Sequence, residues 1–125
     1  MITRIRVMLA DDNAAFRSVL RRLLERDPSI EVVAEAADGD EALVLADTHE
    51  PDVVLMDVSM PGLDGLSATS VITEHHPETA VVMLSMRNAE REVALALRNG
   101  ASEYLDKGMP ASEILAAVKR QEAPA

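Results

Sequence analysis

The amino-acid sequence predicts an α/β fold, namely a doubly wound parallel sheet in which five strands alternate with five helices. Short apolar runs of strand length alternate along the chain with segments whose apolar residues recur at helical spacing. The connections between these segments are short, which favours parallel strands and right-handed crossovers. The run Val53–Asp57 is apolar except for its last residue, as is typical of a central strand buried on both faces.

The first two strands and the helix between them follow from local patterns. An apolar run at Ile5–Ala10 predicts the first strand, and Val32 and Val33 belong to a short second strand. Asn13 is the expected N-cap of the first helix, and Pro28 marks its exit. The apolar face of this helix comprises Phe16, Val19, Leu20, Leu23 and Leu24.

Two helices flank the central strand. Asp38 followed three residues later by Glu41 resembles a capping box, and the helix that it opens runs to about His49. Asp64 is the expected cap of the third helix, which ends near His76.

Two further strands and two helices complete the chain. A fourth strand covers residues 80–84, and Asn88 caps a fourth helix that Gly100 ends. A fifth strand covers residues 103–105, and Pro110 begins the last helix. The residues of this helix that are expected to face inward are Ile114, Leu115 and Val118.

Bulk composition limits the function classes. The absence of Cys excludes disulfides and thiolate metal sites, and the formal net charge of −10 argues against nucleic-acid binding by this domain alone. One Tyr and one Phe are too few for an aromatic base-stacking surface. The sequence has neither a membrane-spanning run nor a signal-peptide pattern, so we expect no membrane partner and a cytoplasmic location. We expect one domain over residues 1–121, with residues 122–125 as a tail or the start of a linker.

Polar residues lie at or directly after the ends of four predicted strands. They are Asp11, Asp12, Asp57, Ser85 and Lys107. Each one alone has an ordinary explanation, such as a helix cap or a solvated surface side chain. Because the carboxyl ends of parallel strands lie at one edge of the sheet, however, we expect all five to converge in one cleft.

The chemistry of this set suits phosphoryl transfer. Three carboxylates in one cleft repel one another unless a cation lies between them, and ligands that are all oxygen suit Mg²⁺. The Asp57 carboxylate is then a nucleophile for a phosphoryl group. Lys107 offers a charge and Ser85 a hydroxyl to the phosphoryl oxygens.

Together these residues closely resemble the receiver domain of bacterial two-component response regulators, over about residues 5–118. The motifs that carry the resemblance are Asp11-Asp12, Asp57 followed by Met60-Pro61-Gly62 and Asp64-Gly65, Ser85, Tyr104 and Lys107. The resemblance implies a flavodoxin-like (βα)5 sheet with strand order 2-1-3-4-5. The runs 61–65 and 100–105 look most like the branch with a C-terminal LuxR-type helix-turn-helix DNA-binding domain, which this chain does not contain.

By resemblance, Asp57 accepts a phosphoryl group from a phosphohistidine on a sensor histidine kinase. Asp12 and Asp57 would bind Mg²⁺ directly, together with the backbone carbonyl of Ser59, and Asp11 would act through water. The chain would be a regulator that promotes its own phosphorylation and dephosphorylation, rather than an enzyme acting on free substrates.

The resemblance also implies a switch. Ser85 and Lys107 would hold the phosphoryl oxygens, and Tyr104 would turn inward as Ser85 moves. The face made by the fourth helix, the fifth strand and the fifth helix would then change its partner preference, including toward a homodimer. By the same resemblance, Ser59 and Arg87 would flank the site at variable positions, which in this family tune the lifetime of the phosphoryl group.

The sequence departs from the family pattern at two positions. Many relatives have Pro directly after the Lys, whereas Gly108 follows Lys107 here, so Lys107 is expected to be held less tightly. Ser85 occupies a position that is often Thr, and it keeps the hydroxyl donor.

Two other functions are left open by the sequence. An aspartyl-phosphate phosphatase would act on free substrates, but Asp57-Val58-Ser59 lacks the second Asp that such hydrolases carry. A constitutive protein-interaction module would need none of the acid, hydroxyl and Lys set.

Overall fold

Five parallel strands alternate with five helices in the described chain, which comprises residues 4–86 and 90–121 of this computed structural model. The strands are β1 (Ile5–Ala10), β2 (Ile30–Ala36), β3 (Val53–Asp57), β4 (Ala80–Ser85) and β5 (Glu103–Asp106). The helices are α1 (Ala14–Glu25), α2 (Gly39–His49), α3 (Gly65–His75), α4 (Glu90–Arg98) and α5 (Ala111–Gln121). The strands form one sheet in the order β2-β1-β3-β4-β5, which confirms the predicted doubly wound fold.

The register of the sheet brings the carboxyl ends of the strands to one edge. Asp57 lies opposite Leu84, and Ser85 lies opposite Asp106. The last residue of β1, Ala10, lies opposite the residue that precedes Asp57. The order of the strands reverses between β1 and β3, and ligands of such sheets bind outside the strand ends at this point.

The core has two layers, one on each face of the sheet. Alternate residues of β3 enter different layers, with Val53 and Leu55 on the side of α1 and α5, and Val54 and Met56 on the side of the other helices. All five β3 residues, including Asp57, are buried. Each buried aliphatic side chain contributes about 1.5–3 kcal/mol to the stability of the fold. The central strand is therefore held firmly in the core, and so is the carboxylate at its end.

The helix caps agree with the sequence patterns. The side chains of Asn13, Asp38 and Asp64 each accept a hydrogen bond from the backbone N–H three residues later, at 3.0, 2.7 and 2.8 Å. Each bond satisfies a helix N–H that has no partner within the helix. Asn88, the predicted cap of α4, lies outside the described residues, as do residues 122–125.

Three strands extend beyond their predicted bounds. β2 covers Ile30–Ala36 instead of the short region around Val32 and Val33, because it pairs with β1 along the whole length of that strand. β4 includes Ser85 and β5 includes Asp106, because these two residues pair with each other in the ladder.

Two apolar residues are less buried than their helix pattern predicts. In α1, Leu20 and Leu24 are buried, but Val19 is 54% exposed. In α5, Ile114 is buried, whereas Leu115 is only partly buried beside a groove between α1 and α5. A helix that packs on one side only buries the stripe that faces the sheet, and these two residues lie at its border.

No helix within the described ranges has both the length and the apolar character needed to cross a bilayer.

Candidate functional site

Three carboxylates meet at the carboxyl edge of the sheet. Asp11 and Asp12 follow β1, and Asp57 ends β3 at the neighbouring position. One carboxylate oxygen from each of the three lies within 4.8 Å of the others. Asp11 and Asp57 are buried, whereas Asp12 is exposed. The predicted convergence of the acids is therefore found in the structure.

Lys107 lies against two of these acids. Its Nζ is 2.6 Å from Oδ2 of Asp11 and 3.3 Å from Oδ2 of Asp57, and it lies 4.7 Å from the centroid of the Phe16 ring. The backbone N–H of Lys107 donates to the carbonyl of Ser85 at 2.9 Å, which fixes the end of β5 against β4. The ammonium is thus held by two carboxylates and an aromatic face.

The turn after Lys107 is closed by hydrogen bonds. Gly108 N–H donates to Oδ1 of Asp106 at 2.7 Å, and the N–H of Met109 donates to the Asp106 carbonyl at 3.1 Å. The prediction that Gly108 loosens Lys107 stays a prediction.

Burial and neighbouring charges shift the pKa values of Asp57 and Lys107. Burial, together with the nearby charge of Asp11, raises the pKa of Asp57 to about 6, although Lys107 and the backbone N–H of Ser59 oppose this rise. Burial by itself lowers the pKa of Lys107, but its contacts with Asp11 and Asp57 outweigh burial and raise that pKa above its usual value. Lys107 therefore stays charged at neutral pH, and the Asp57 carboxylate is mostly ionised.

Ser85 and Tyr104 connect this edge to α4. Ser85 is buried at the end of β4, and its side chain is hydrogen-bonded to that of the half-buried Tyr104. The Tyr104 hydroxyl also donates to Oε2 of Glu92 in α4 at 3.1 Å. Burial raises the pKa of Tyr104, and the bond with Ser85 partly offsets this rise. Hydrogen bonds between side chains thus link the end of β4 to α4.

Two clefts open beside this edge of the sheet. A cleft of about 560 Å³ is lined by Asp12, Val58, Ser59, Met60, Pro61, Asp64 and Leu66. A second cleft of about 350 Å³ is lined by Asn13, Phe16, Met86, Lys107 and Gly108. Ser59 is exposed, and its backbone N–H donates to Oδ1 of Asp57 at 3.2 Å. Arg87, predicted to flank the site, lies outside the described residues.

The acidic cluster fits a hard divalent cation. Oδ2 of Asp11 is buried, and its partner among the described residues is the ammonium group of Lys107 at 2.6 Å. This ion pair alone compensates the charge on that oxygen. The cluster supplies carboxylate oxygens alone, and Asp12 lies at its exposed side. This donor set is the one that Mg²⁺ prefers in proteins.

Sequence reasoning missed one group beside this cluster. Arg17 of α1 donates from Nη1 to the backbone carbonyl of Asp11 at 2.5 Å, and from Nε to Glu35 of β2 at 3.1 Å. Arg17 and Arg21 lie four residues apart on one face of α1, and this spacing was the only sequence signal of a shared partner.

The fold and the acidic edge define a class of protein, and comparison with known families identifies it. The model of the response regulator receiver domain family matches residues 7–119, and the chain belongs to this family. Members of this family are signalling domains rather than classical enzymes. They use Mg²⁺ at the acidic pocket and are phosphorylated by sensor histidine kinases.

Particular relatives agree with this assignment. The chain is 39% identical over 116 residues to the transcriptional regulatory protein DegU of Brevibacillus brevis, covering 93% of this chain and 49% of that protein. It superimposes on the receiver domain of the putative response regulator NarL from Mycobacterium tuberculosis with a TM-score of 0.92 and 35% identity, covering 98% of this chain and 99% of that one. A LuxR-family two-component response regulator from Aurantimonas gives a TM-score of 0.90 and 36% identity, covering 94% and 84% of the two chains.

These likenesses confirm the predicted family and its LuxR-like branch. The chain spans about half the length of the curated relatives it matches.

Proposed function

We propose that residues 1–121 form a phosphorylation-dependent switch in which Asp57 accepts a phosphoryl group from a phosphohistidine of a sensor histidine kinase. The observation that carries this proposal is the position of Asp57, a buried carboxylate with Lys107 3.3 Å away and two further acids close by. A nucleophile for phosphoryl transfer needs positioning and charge neutralisation more than a separate base.

The transfer step is a displacement at phosphorus. A carboxylate oxygen of Asp57 forms a bond to phosphorus while the bond from phosphorus to the imidazole nitrogen breaks. The electron pair of that bond leaves with the imidazole, which takes up a proton from water. Lys107 and the Ser85 hydroxyl donate hydrogen bonds to the oxygens of the transferred group. Because the pKa of Asp57 is about 6, the nucleophile is mostly ionised at neutral pH.

The acids at the edge would hold a metal ion during this step. Asp12, Asp57 and the backbone carbonyl of Ser59 are the proposed direct ligands of Mg²⁺, and Asp11 would act through water. When bound, Mg²⁺ would neutralise charge on the acids and on the phosphoryl oxygens. The closeness of the three carboxylates and the exposure of Asp12 to the cleft support this assignment.

The switch would act through Ser85 and Tyr104. A hydroxyl that turns to the phosphoryl group changes the hydrogen bond between Ser85 and Tyr104, and Tyr104 is bonded to Glu92 of α4. Two charge-assisted hydrogen bonds, from Ser85 and Lys107, contribute about 3–6 kcal/mol before ordering costs. Inverting a 1:99 equilibrium takes about 5.5 kcal/mol, so phosphorylation shifts the population of the α4-β5-α5 face strongly. That face would then favour a new partner or a homodimer.

The output of the switch would be transcription, through a DNA-binding domain outside this chain. The relatives named above include a transcriptional regulatory protein, and the chain spans about half of its length. A regulator of this kind would work in the cytoplasm and would also promote loss of its own phosphoryl group. Ser59 and Arg87 would set how long that group survives.

Mass spectrometry after incubation with Mg²⁺ and acetyl phosphate tests the proposal. We expect one acid-stable, base-labile phosphoryl group per chain and none on Asp57→Asn. Asp64→Asn is the matched control, because it removes an acid from the same cleft while Asn still caps α3. An adduct that survives in Asp57→Asn would refute Asp57 as the acceptor.

Two other functions make different predictions. A phosphatase would hydrolyse phosphomonoesters over many turnovers. A constitutive interaction module would bind its partner equally well with and without the phosphodonor.

A further inference from the structure

The loop that carries two of the three acids is tied to the neighbouring strand by one arginine. Nη1 of Arg17 donates to the backbone carbonyl of Asp11 at 2.5 Å. Its Nε donates to Oε1 of Glu35 at 3.1 Å, and Glu35 belongs to the edge strand β2. The Arg17 side chain is only 18% exposed, so water competes little with either bond.

Besides the ion pair of its Oδ2 with Lys107, Asp11 is held by three hydrogen bonds, and Arg17 donates one of them. The N–H of Asp11 donates to the carbonyl of Ala36 at 2.9 Å, and Oδ1 of Asp11 accepts from the N–H of Asn13 at 2.8 Å. The carbonyl that Arg17 binds belongs to the peptide unit that joins Asp11 to Asp12. Because a peptide unit is planar, fixing its oxygen also fixes the direction in which Asp12 leaves it.

We propose that Arg17 is a positioning residue that holds the Asp11–Asp12 peptide so that both carboxylates face the cation shared with Asp57. This inference rests on the metal site of the proposed function and adds to it the group that orients the ligands. The hydrogen bond from Arg17 to Glu35 orients the Arg17 guanidinium, and Glu35 is itself held in strand β2. Outer groups that orient metal ligands commonly change metal affinity by about 10–100-fold when removed.

Arg21 provides a matched control on the same helix. It pairs with Glu35 through Nη1 at 2.5 Å and with Glu25 through Nε at 3.2 Å. It therefore carries the same charge and shares the partner of Arg17, but in the described part of the chain its guanidinium bonds Glu25 and Glu35 and not Asp11. A comparison of the two variants separates the bond to the Asp11 carbonyl from the loss of one positive charge near the acids.

The direction of the effect distinguishes positioning from simple charge. Removing a positive charge near three carboxylates makes the site more negative, which strengthens the binding of a cation. Losing the orientation of Asp11 and Asp12 weakens that binding. We therefore expect Mg²⁺ to bind Arg17→Met about tenfold more weakly than wild type, and to bind Arg21→Met with equal or slightly higher affinity.

Titration calorimetry of the whole chain with Mg²⁺ alone, without phosphodonor, measures these affinities. Thermal unfolding in EDTA shows whether each variant is folded. Equal affinities for wild type and Arg17→Met, or equal losses in Arg17→Met and Arg21→Met, would overturn the inference.

Arg17→Lys carries the test if Arg17→Met does not fold. Lys keeps the positive charge, but it lacks the planar guanidinium that donates to the Asp11 carbonyl and to Glu35 at the same time. Weaker Mg²⁺ binding by Arg17→Lys supports positioning, and unchanged binding contradicts it. A wild-type chain that binds no Mg²⁺ would remove the proposed metal site and this inference together, whereas a failed Arg17 comparison leaves the proposed function intact.

Discussion

Asp57 combines the burial of a core residue with the charge that a nucleophile needs. Its carboxylate ends a strand whose residues are all buried, and it lies beside Asp11, which repels it, and Lys107, which attracts it. Burial and repulsion together raise its pKa to about 6, so the charged form is less favourable in the folded chain than in the unfolded chain. The site therefore holds a charge that the fold alone does not fully compensate.

This residue makes the stability of the metal-free chain depend on pH. Since the folded pKa lies above the usual value of 3.8, the charge costs about 2–3 kcal/mol of unfolding free energy above pH 6. That cost falls as the pH drops through 6 and is nearly gone near pH 4. We expect Asp57→Asn to be more stable than wild type at pH 8 in EDTA, by about this amount, and almost equal to it near pH 4.

Urea unfolding in EDTA across this range measures the difference. The Asp64→Asn variant, which removes an exposed carboxylate, should have the same unfolding free energy as wild type at each pH. An Asp57→Asn variant that is less stable than wild type at pH 8 would show that the ion pair with Lys107 outweighs burial.

At the scale of elements, the start of α3 lies unusually close to the end of β3. A Cβ atom on Gly65 would lie 2.0 Å from the backbone carbonyl oxygen of Asp57. The N–H of Gly65 donates to the carbonyl of Val58 at 3.0 Å, so helix and strand end are directly bonded. The absence of a side chain at this position lets the start of α3 pack directly against the backbone of Asp57 and Val58.

Gly65→Ala tests this packing. Although Ala favours helix more than Gly, its Cβ must push α3 away from Asp57, and we expect a loss of about 1–3 kcal/mol in unfolding free energy. Ser70→Ala, at an exposed position of the same helix, should change stability by no more than about 0.5 kcal/mol. Denaturant unfolding of both variants gives the comparison, and a Gly65→Ala chain as stable as wild type would mean that α3 can shift freely.

At the scale of the whole molecule, the acidic site couples ligand binding to folding. The acids belong to segments after β1 and at the end of β3, and they come together only in the folded sheet. A cation that binds this cluster therefore binds the folded state and stabilises it, by about 2.7 kcal/mol at a concentration 100 times its dissociation constant.

Mg²⁺ should raise the thermal midpoint of the wild-type chain at pH 8. For a domain of this size, about 2–3 kcal/mol corresponds to a rise of roughly 6–15 °C. Asp12→Asn and Asp57→Asn should lose most of this rise, and Asp64→Asn should keep it. Differential scanning calorimetry at several Mg²⁺ concentrations provides the measurement. A rise of the same size in all four chains would indicate a general salt effect.

Local patterns predicted most of the architecture because they depend on neighbours along the chain. The apolar run of β3 and the caps at Asn13, Asp38 and Asp64 need only a few residues each. Strand ends were less well predicted, since the extent of β2 is decided by pairing with β1 and not by its own sequence.

Local sequence patterns could not predict which side chains from different helices and strands contact each other. Sequence reasoning placed Lys107 with the phosphoryl group, and in the structure its nearest acid is Asp11, at 2.6 Å, rather than Asp57. The bond between Tyr104 and Glu92 was not predicted either, because it depends on how α4 packs beside β5.

The sequence by itself determined the alternation of strands and helices, the polar residues at the strand ends and the family to which the chain belongs. These features depend on residue type and spacing, which can be observed without coordinates. Only the tertiary structure decided which groups orient the acids, above all the bond from Arg17 to the Asp11 carbonyl and the anchor of Arg17 on Glu35. Such contacts join α1, a loop and an edge strand, and their geometry exists only when the packed layers bring these three together.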